Sequence, residues 1–364
     1  MKILMVMAGG EKGGAELMFE DAALTFHMDE GIEVHAVIHP FPDRLERLRR
    51  AGIPVKGVNM KGWLGKHVTA RRALRQIIQQ VRPDIVYAWM GRAAMLLPPP
   101  EWSRKHGAVN TARLGGYYNM RHFRNAEYFV AIAPGIRQHI TEHGNIEPGR
   151  IRLIENYVDF GTEPEAPPPL PPRRDGVHLL LSLGRLHKNK GYDVFLDALA
   201  DLPDCDAWIV GEGPERPALE HRARELGLEG CVHMPGWRDD RLNLFRQADL
   251  FIHPSREEGF GSVFIQAWAT RTPYIGAASE GPASYVRDKI DGRIVPVEDK
   301  TALRDAIRET LDFPERAAQY AENGFARYQE HFTRERFVAA HKDWFETAMG
   351  AKPGTGKRKI LTLM

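Results

Sequence analysis

With 364 residues, the chain exceeds the usual size of a single hydrophobic core, and two domains are expected. Its hydrophobic fraction of 43% and charged fraction of 27% are those of a globular protein, and no apolar run approaches the roughly 20 residues that span a bilayer, so no transmembrane anchor is expected. The net charge of +2 and the lack of a recognisable binding module argue against a nucleic-acid partner. Cys205 and Cys231 are the two cysteines, without metal-type spacing, which fits a reducing compartment.

The first run, KILMVM, leads into GGEKGG rather than a small-residue cleavage site. It therefore reads as a buried strand and not a signal peptide, and a cytoplasmic location is expected. Further strand-length runs follow as EVHAVI, PVKGV, DIVYAW, AVNTA, EYFVAI and RIRLI, separated by helical patterns such as GAELMFEDAALTFH and ARRALRQIIQQV. Their continuous apolar character predicts parallel strands covered on both faces. This front half is the basic one, with 22 Lys+Arg against 16 Asp+Glu over residues 1–161. Its cations cluster in Asp43–Arg50 and Lys61–Arg75, the latter interleaved with Trp63, Leu64 and Val68. Such a mixture suits an anionic membrane surface or an anionic acceptor, and equally a solvated helix face. His139 and His143 share a helix face but lack a third ligand, so a surface helix is expected there.

At Glu163 the alternation stops. EPEAPPPLPPRRD, residues 163–175, is too proline-rich for helix or sheet and is expected to be the linker after a first domain over 1–162. A second alternation, HLLLSLG, DAWIVG, CVHMP, DLFIHP, PYIGA and RIVPV, occupies 176–325. The expected fold class is α/β, with two doubly wound Rossmann-like domains facing a central cleft, and ligands beyond the carboxyl ends of the strands. The last residues, 350–364, read as a basic tail whose GTGK lacks the spacing of a phosphate-binding loop.

Strand ends of the second half carry glycines and charges where such a sheet opens. LSLGRLHKNKG supplies Gly184, Arg185 and Lys190, a glycine for close backbone approach and two cations for a pyrophosphate. IVGEGP supplies Gly211 and Gly213, and MPGWR, Met234 to Arg238 with Trp237, offers backbone groups and a wall to a nucleobase. SREEGFG sets Ser255, Glu258, Gly259 and Gly261 just before a helix whose free N–H groups favour an anion. Asp204 and Asp206 flank Cys205 in an aspartate-x-aspartate pattern, but they precede a strand, so a polar turn is expected rather than a metal site.

In their order and spacing these motifs resemble the retaining glycosyltransferases of the GT-B fold, in particular glycosyltransferase family 4. The resemblance runs from GGAE (Gly13–Glu16) through ENYVD (Glu155–Asp159) and is strongest from Gly184 to Pro296. It implies that Arg185 and Lys190 bind a donor diphosphate, that Gly13 and Gly14 form the glycine-rich loop of the first domain, and that Glu258 contacts the donor sugar. Phe260 and Gly261 would offer backbone amides. The second glutamate of the family's pair, which accepts from the ribose hydroxyls, falls at Gln266. The family's first-domain histidine falls at Arg113, and its glutamate after Gly-Pro falls at Ser284. The helices over 326–349 are expected to return to the first domain.

The implied activity is transfer of a sugar, with retention, from a UDP- or GDP-type nucleotide sugar to a glycan or lipid-linked acceptor. No cofactor or metal is required if Arg185 and Lys190 stabilise the leaving diphosphate, with Arg113 as a fixed cation beside the sugar or acceptor. Lipopolysaccharide or cell-surface polysaccharide synthesis at the inner membrane face would suit the basic first domain. Gln266, Arg113 and Ser284 together leave open a non-catalytic nucleotide-sugar-binding protein, and a nucleotide-sugar epimerase on the same fold is a further alternative.

Overall fold

The computed structural model describes residues 1–11, 13–60, 62, 68–160 and 168–350. Lys61, Trp63, Leu64 and Lys66 of the basic segment, the front of the proline-rich linker and the basic tail after Gly350 lie outside the described residues. Two compact units are present, Met1–Asn156 joined by the segment from Arg334 onward, and Tyr157–Thr333.

In the first unit seven parallel strands, β1 (Lys2–Met7), β2 (Glu33–Ile38), β3 (Val55–Gly57), β4 (Ile85–Trp89), β5 (Val109–Leu114), β6 (Tyr128–Ala131) and β7 (Ile151–Leu153), line up in the order β3-β2-β1-β4-β5-β6-β7. Helices α1 (Gly14–His27), α2 (Pro42–Arg50), α3 (Ala70–Val81), α4 (Met90–Ala94), α5 (Pro100–Lys105) and α6 (Pro134–Gly144) connect them. β4 and β5 are buried at every position, as their unbroken apolar runs require of strands covered on both faces. α3 shows the complementary logic. It buries Ala70, Leu74, Ile77 and Ile78, one helical stripe, and ends where Arg82 turns left-handed (φ 49°) before Pro83.

The second unit repeats the plan with β8 (His178–Leu183), β9 (Cys205–Val210), β10 (Val232–His233), β11 (Leu250–His253), β12 (Tyr274–Ala277) and β13 (Arg293–Val295) in the order β10-β9-β8-β11-β12-β13. Its helices are α7 (Tyr192–Leu199), α8 (Arg216–Glu225), α9 (Arg241–Gln247), α10 (Val263–Ala269), α11 (Glu280–Tyr285), α12 (Lys300–Asp312) and α13 (Pro314–His331). Leu180, Phe195, Leu196, Ile209, Ile252 and Ile307, all fully buried, sit in one core between sheet and helices, each apolar side chain contributing about 1.5–3 kcal/mol by leaving water. In both sheets the strand order reverses beside the first strand, between β1 and β4 and between β8 and β11. These are the switch points at whose carboxyl edge a crevice opens.

The last helix, α14 (Arg334–Gly350), belongs to the first unit. Its buried His341 accepts from the Tyr87 hydroxyl on β4 (3.0 Å) and donates through Nδ1 to the Phe337 carbonyl (2.9 Å). Phe337 stacks on Phe26, and Phe345 meets Tyr87 edge-on at 5.1 Å. The return to the first unit thus begins at Arg334 and not at residue 326, because α13 is tied to α10, its Gly324 lying against the Trp268 ring. The boundary on the front side also precedes the linker. Val158 donates to the Phe332 carbonyl and accepts from the Tyr328 hydroxyl, both at 3.2 Å, which assigns it to the second unit.

Candidate active site at the carboxyl edge of the second sheet

The switch point between β8 and β11 gathers the charged residues expected from the sequence. β8 runs out at Gly184, whose N–H still pairs with the Val210 carbonyl (3.0 Å), and Arg185 follows it as an exposed cation. The chain then makes a tight turn over Lys188–Lys190 that ends on Gly191, φ 66°. A Cβ at Gly191 would stand 2.1 Å from the Pro254 carbonyl oxygen, so only glycine lets this turn lie against the end of β11. That close approach brings the Lys190 ammonium onto the Glu258 carboxylate as an ion pair.

Glu258 is the centre of the site. Its side chain is 19% exposed, and besides Lys190 it faces His253 Nε2 at 3.5 Å. Burial alone would raise its pKa, but the imidazole donor and the Lys190 charge outweigh it and hold the carboxyl at about 2. His253 itself is buried and its pKa is lowered, chiefly by desolvation, so it stands as a neutral imidazole. Neighbouring Glu257 is exposed. An ionised, partly accessible carboxylate beside an ammonium can accept from sugar hydroxyls while leaving the cation free to meet phosphate oxygens.

Buried polar atoms of this unit that make no hydrogen bond among the described residues include His253 Nε2, at 3.5 Å from Glu258, Ser255 Oγ, Ser279 Oγ and the Gln266 side-chain oxygen. Gln266 is 7% exposed, and a buried acceptor left unpaired costs about 1–3 kcal/mol. Phe260 turns its ring into an aromatic cluster with Phe264 (5.6 Å) and Tyr285 (5.1 Å), leaving only backbone toward the turn. α10 begins at Val263, two residues beyond Gly261, and spans seven residues. Ser284 lies on α11, exposed, its hydroxyl donating to the Glu280 carbonyl.

Gly211 and Gly213, expected among the donor-binding residues, have a packing reason of their own: a Cβ at these positions would meet the Gly184 and Leu186 carbonyl oxygens at 1.9 and 2.2 Å, so the glycines let two strand-end loops pack on each other. The Arg238 side chain is committed within the protein. Its guanidinium donates to both Asp240 oxygens (2.8 and 2.6 Å) and to the Pro169 and Pro168 carbonyls (2.6 and 2.9 Å), which pins the described part of the linker. Its neighbour Trp237 is 44% exposed, with its indole N–H on Asp239. In the aspartate-x-aspartate pattern, Asp206 accepts from the Arg174 backbone and side chain at 2.6 and 2.7 Å.

The first unit presents its own glycine loop after β1. Glu16, on the first turn of α1, accepts from the Gly10 N–H (2.7 Å), and a Cβ at Gly13 would touch its carboxylate at 2.4 Å, whereas Gly14 has open space beside it. Arg44, hidden by the sequence within a basic run, is 4% exposed at its side chain, paired with Glu20 at 2.6 Å. It also donates to the Gly10 and Glu11 carbonyls (2.9 and 2.7 Å), anchoring the loop. Arg113, at the end of β5, is 2% exposed, lies 4.1 Å over the Trp89 ring and donates to Asn156. No carboxylate pairs with it among the described residues. Sequence reasoning missed Arg44, His253 and Tyr274, whose hydroxyl meets His253 Nδ1 at 2.9 Å; of these, only His253 carried a signal, as the residue closing β11 ahead of Pro254.

The two doubly wound domains place the chain in the GT-B class of glycosyltransferase folds. Residues 171–327 match the family described as "Glycosyl transferases group 1" and residues 12–161 the family described as "Glycosyltransferase Family 4". The lipopolysaccharide core biosynthesis glycosyltransferase LpsE of Rhizobium meliloti is 27% identical over 91% of this chain and 95% of its own length. LpsD of the same organism, described in the same words, is 27% identical over 97% of this chain and 100% of its own. Among solved structures, Anabaena HepE in complex with UDP and glucose matches with a TM-score of 0.81 at 21% identity, covering 95% of this chain and 100% of that one. The chain belongs to the family 4, group 1 glycosyltransferases, and it is a glycosyltransferase.

Proposed function

We propose that this enzyme transfers a sugar from a nucleoside diphosphate sugar of UDP or GDP type to a glycan or lipid-linked acceptor, with retention of anomeric configuration. The observation that carries the reading is the Lys190–Glu258–His253 cluster at the second switch point, an ionised carboxylate between an ammonium and a neutral imidazole where a sheet of this kind holds its ligand. Lys190 and exposed Arg185 neutralise the diphosphate as the glycosidic bond breaks, so charge stabilisation comes from the chain itself and no metal ion is needed. Glu258 orients the sugar through its hydroxyls. Gln266, with its unpartnered oxygen, accepts from a ribose hydroxyl. In the first domain Gly14 leaves room for phosphate oxygens, and buried Arg113 orients its surroundings through Trp89 and Asn156.

The relatives' roles in lipopolysaccharide core biosynthesis support an acceptor of the lipopolysaccharide or surface-polysaccharide class, met at the cytoplasmic membrane face. Among the described residues no helix is long and apolar enough to cross a membrane, and exposed Arg49 and Arg72 on α2 and α3 provide a basic surface for a peripheral contact. Binding to vesicles should require anionic lipid and weaken with salt; indifference to both would remove that contact. The reaction is tested by proton NMR of enzyme, nucleotide sugar and truncated core acceptor in the presence of a chelator. Released nucleoside diphosphate and a product with the donor's anomeric configuration are expected. An inverted product, or donor consumed equally without acceptor, would contradict the proposal.

A further inference from the structure

Behind Glu258 the structure holds a chain of polar groups that extends into the sheet. His253 closes β11 and Tyr274 opens β12; the Tyr274 hydroxyl reaches His253 Nδ1 at 2.9 Å, and His253 Nε2 faces Glu258 at 3.5 Å. Both side chains are almost wholly buried, Tyr274 at 1% and His253 at 3% exposure. The hydroxyl passes over Gly276, the register partner of His253, where a Cβ would stand 2.1 Å from it. A glycine in a strand weakens it, and here its missing side chain is the opening through which the tyrosine meets the imidazole.

We propose that Tyr274 is a positioning residue for the site: its hydroxyl donates to His253 Nδ1, fixes the tautomer with the proton on Nε2, and so aims an N–H donor at the Glu258 carboxylate. The alternative assignment fails on charge. If His253 carried its proton on Nδ1 and donated to the tyrosine, an Nε2 lone pair would face an anionic oxygen, and the two would repel. A doubly protonated imidazole is opposed by its burial and by Lys190 nearby. The groups that face Glu258 are Lys190 and Tyr192 from the segment after β8, His253 from β11 and, through His253, Tyr274 from β12. Lys190 therefore holds the carboxylate from the ligand side, and the histidine holds it from the sheet side.

This inference deepens the reading of Glu258 given above, but its test needs no donor, so its failure would leave that reading standing. The test is nitrogen-15 NMR of the full chain labelled at histidine, with His253 assigned by its loss in His253→Gln. The wild type is expected to show the Nε2–H tautomer. In Tyr274→Phe, which keeps the ring stacked near Phe251 at 6.2 Å, that preference is expected to be lost. The Glu258 carboxyl, followed by carbon-13 and assigned by Glu258→Gln, should then titrate about one pH unit or more higher. Gly276→Ala, which displaces the hydroxyl without removing it, should do the same. An Nδ1–H tautomer in the wild type overturns the proposal, as does a Tyr274→Phe variant whose tautomer or carboxyl titration is unchanged.

Discussion

At the scale of single residues the site depends on which side chains are already committed. Glu258 and Arg238 both looked like donor contacts in the sequence, yet Arg238 spends its donors on Asp240 and on two proline carbonyls about seventy residues away in sequence, while Glu258 keeps part of its carboxylate exposed. Partners as distant in sequence as the two prolines of Arg238 and the Glu20 of Arg44 leave no local pattern, and the Lys190–Glu258 pair was readable only through its motif. Glu258→Gln should lower transfer by about 100-fold or more while nucleoside diphosphate affinity stays within about threefold, since the lost charge faces the sugar. Steady-state kinetics alongside calorimetric titration would separate the two effects. Gln266→Glu should tighten nucleoside diphosphate binding by about three- to tenfold, a carboxylate being the stronger acceptor for hydroxyls; weaker binding would show that the unpartnered oxygen does not meet the ribose.

At the scale of elements, apolar runs were legible because parallel strands are buried on both faces, and every strand expected from such a run is present. Helix ends were less so. The sequence pattern places helix starts at Lys190, Pro214, Asp239 and Gly261, and α7, α8, α9 and α10 each begin two residues later, with glycine or proline in the turns ahead of α7, α8 and α10. Close packing was invisible altogether. Gly324 sits inside α13, where alanine would ordinarily favour the helix by about 1 kcal/mol, but a Cβ there would lie 2.2 Å from the Trp268 ring. Gly324→Ala should therefore destabilise the fold, by about 1–3 kcal/mol in denaturant melts. α14 supplies a pH effect. Burial holds His341 neutral, with a pKa lowered from 6.5 to about 3, so between these values the unfolded chain binds a proton that the folded one does not. Stability should fall as pH drops below 6.5, by up to about 1.4 kcal/mol per pH unit. Melts at pH values around 7.5 and 5.5 should show a smaller loss for His341→Gln than for the wild type.

At the scale of the whole molecule, the two doubly wound domains and their strand ends followed from periodicity and turn chemistry, whereas their true borders did not. The chain leaves the first unit at Asn156 and re-enters it at Arg334, because Val158 and α13 are bonded within the second unit and α14 within the first; a proline-rich composition marks a stiff segment and not where contacts change. Both sheets place their switch points at strands that carry glycine loops and charged residues, and at the second the Lys190–Glu258 ion pair stands at the strand ends. In the proposed function the Lys190–Glu258 end of the second sheet is the seat of a nucleoside diphosphate. The most direct test is calorimetric titration of UDP, GDP and ADP into the full chain and into Lys190→Ala. One nucleoside diphosphate should bind the wild type selectively and at least about tenfold more weakly once the ammonium is gone. No binding of any of them at millimolar concentration, or binding that Lys190→Ala leaves unchanged, would contradict it.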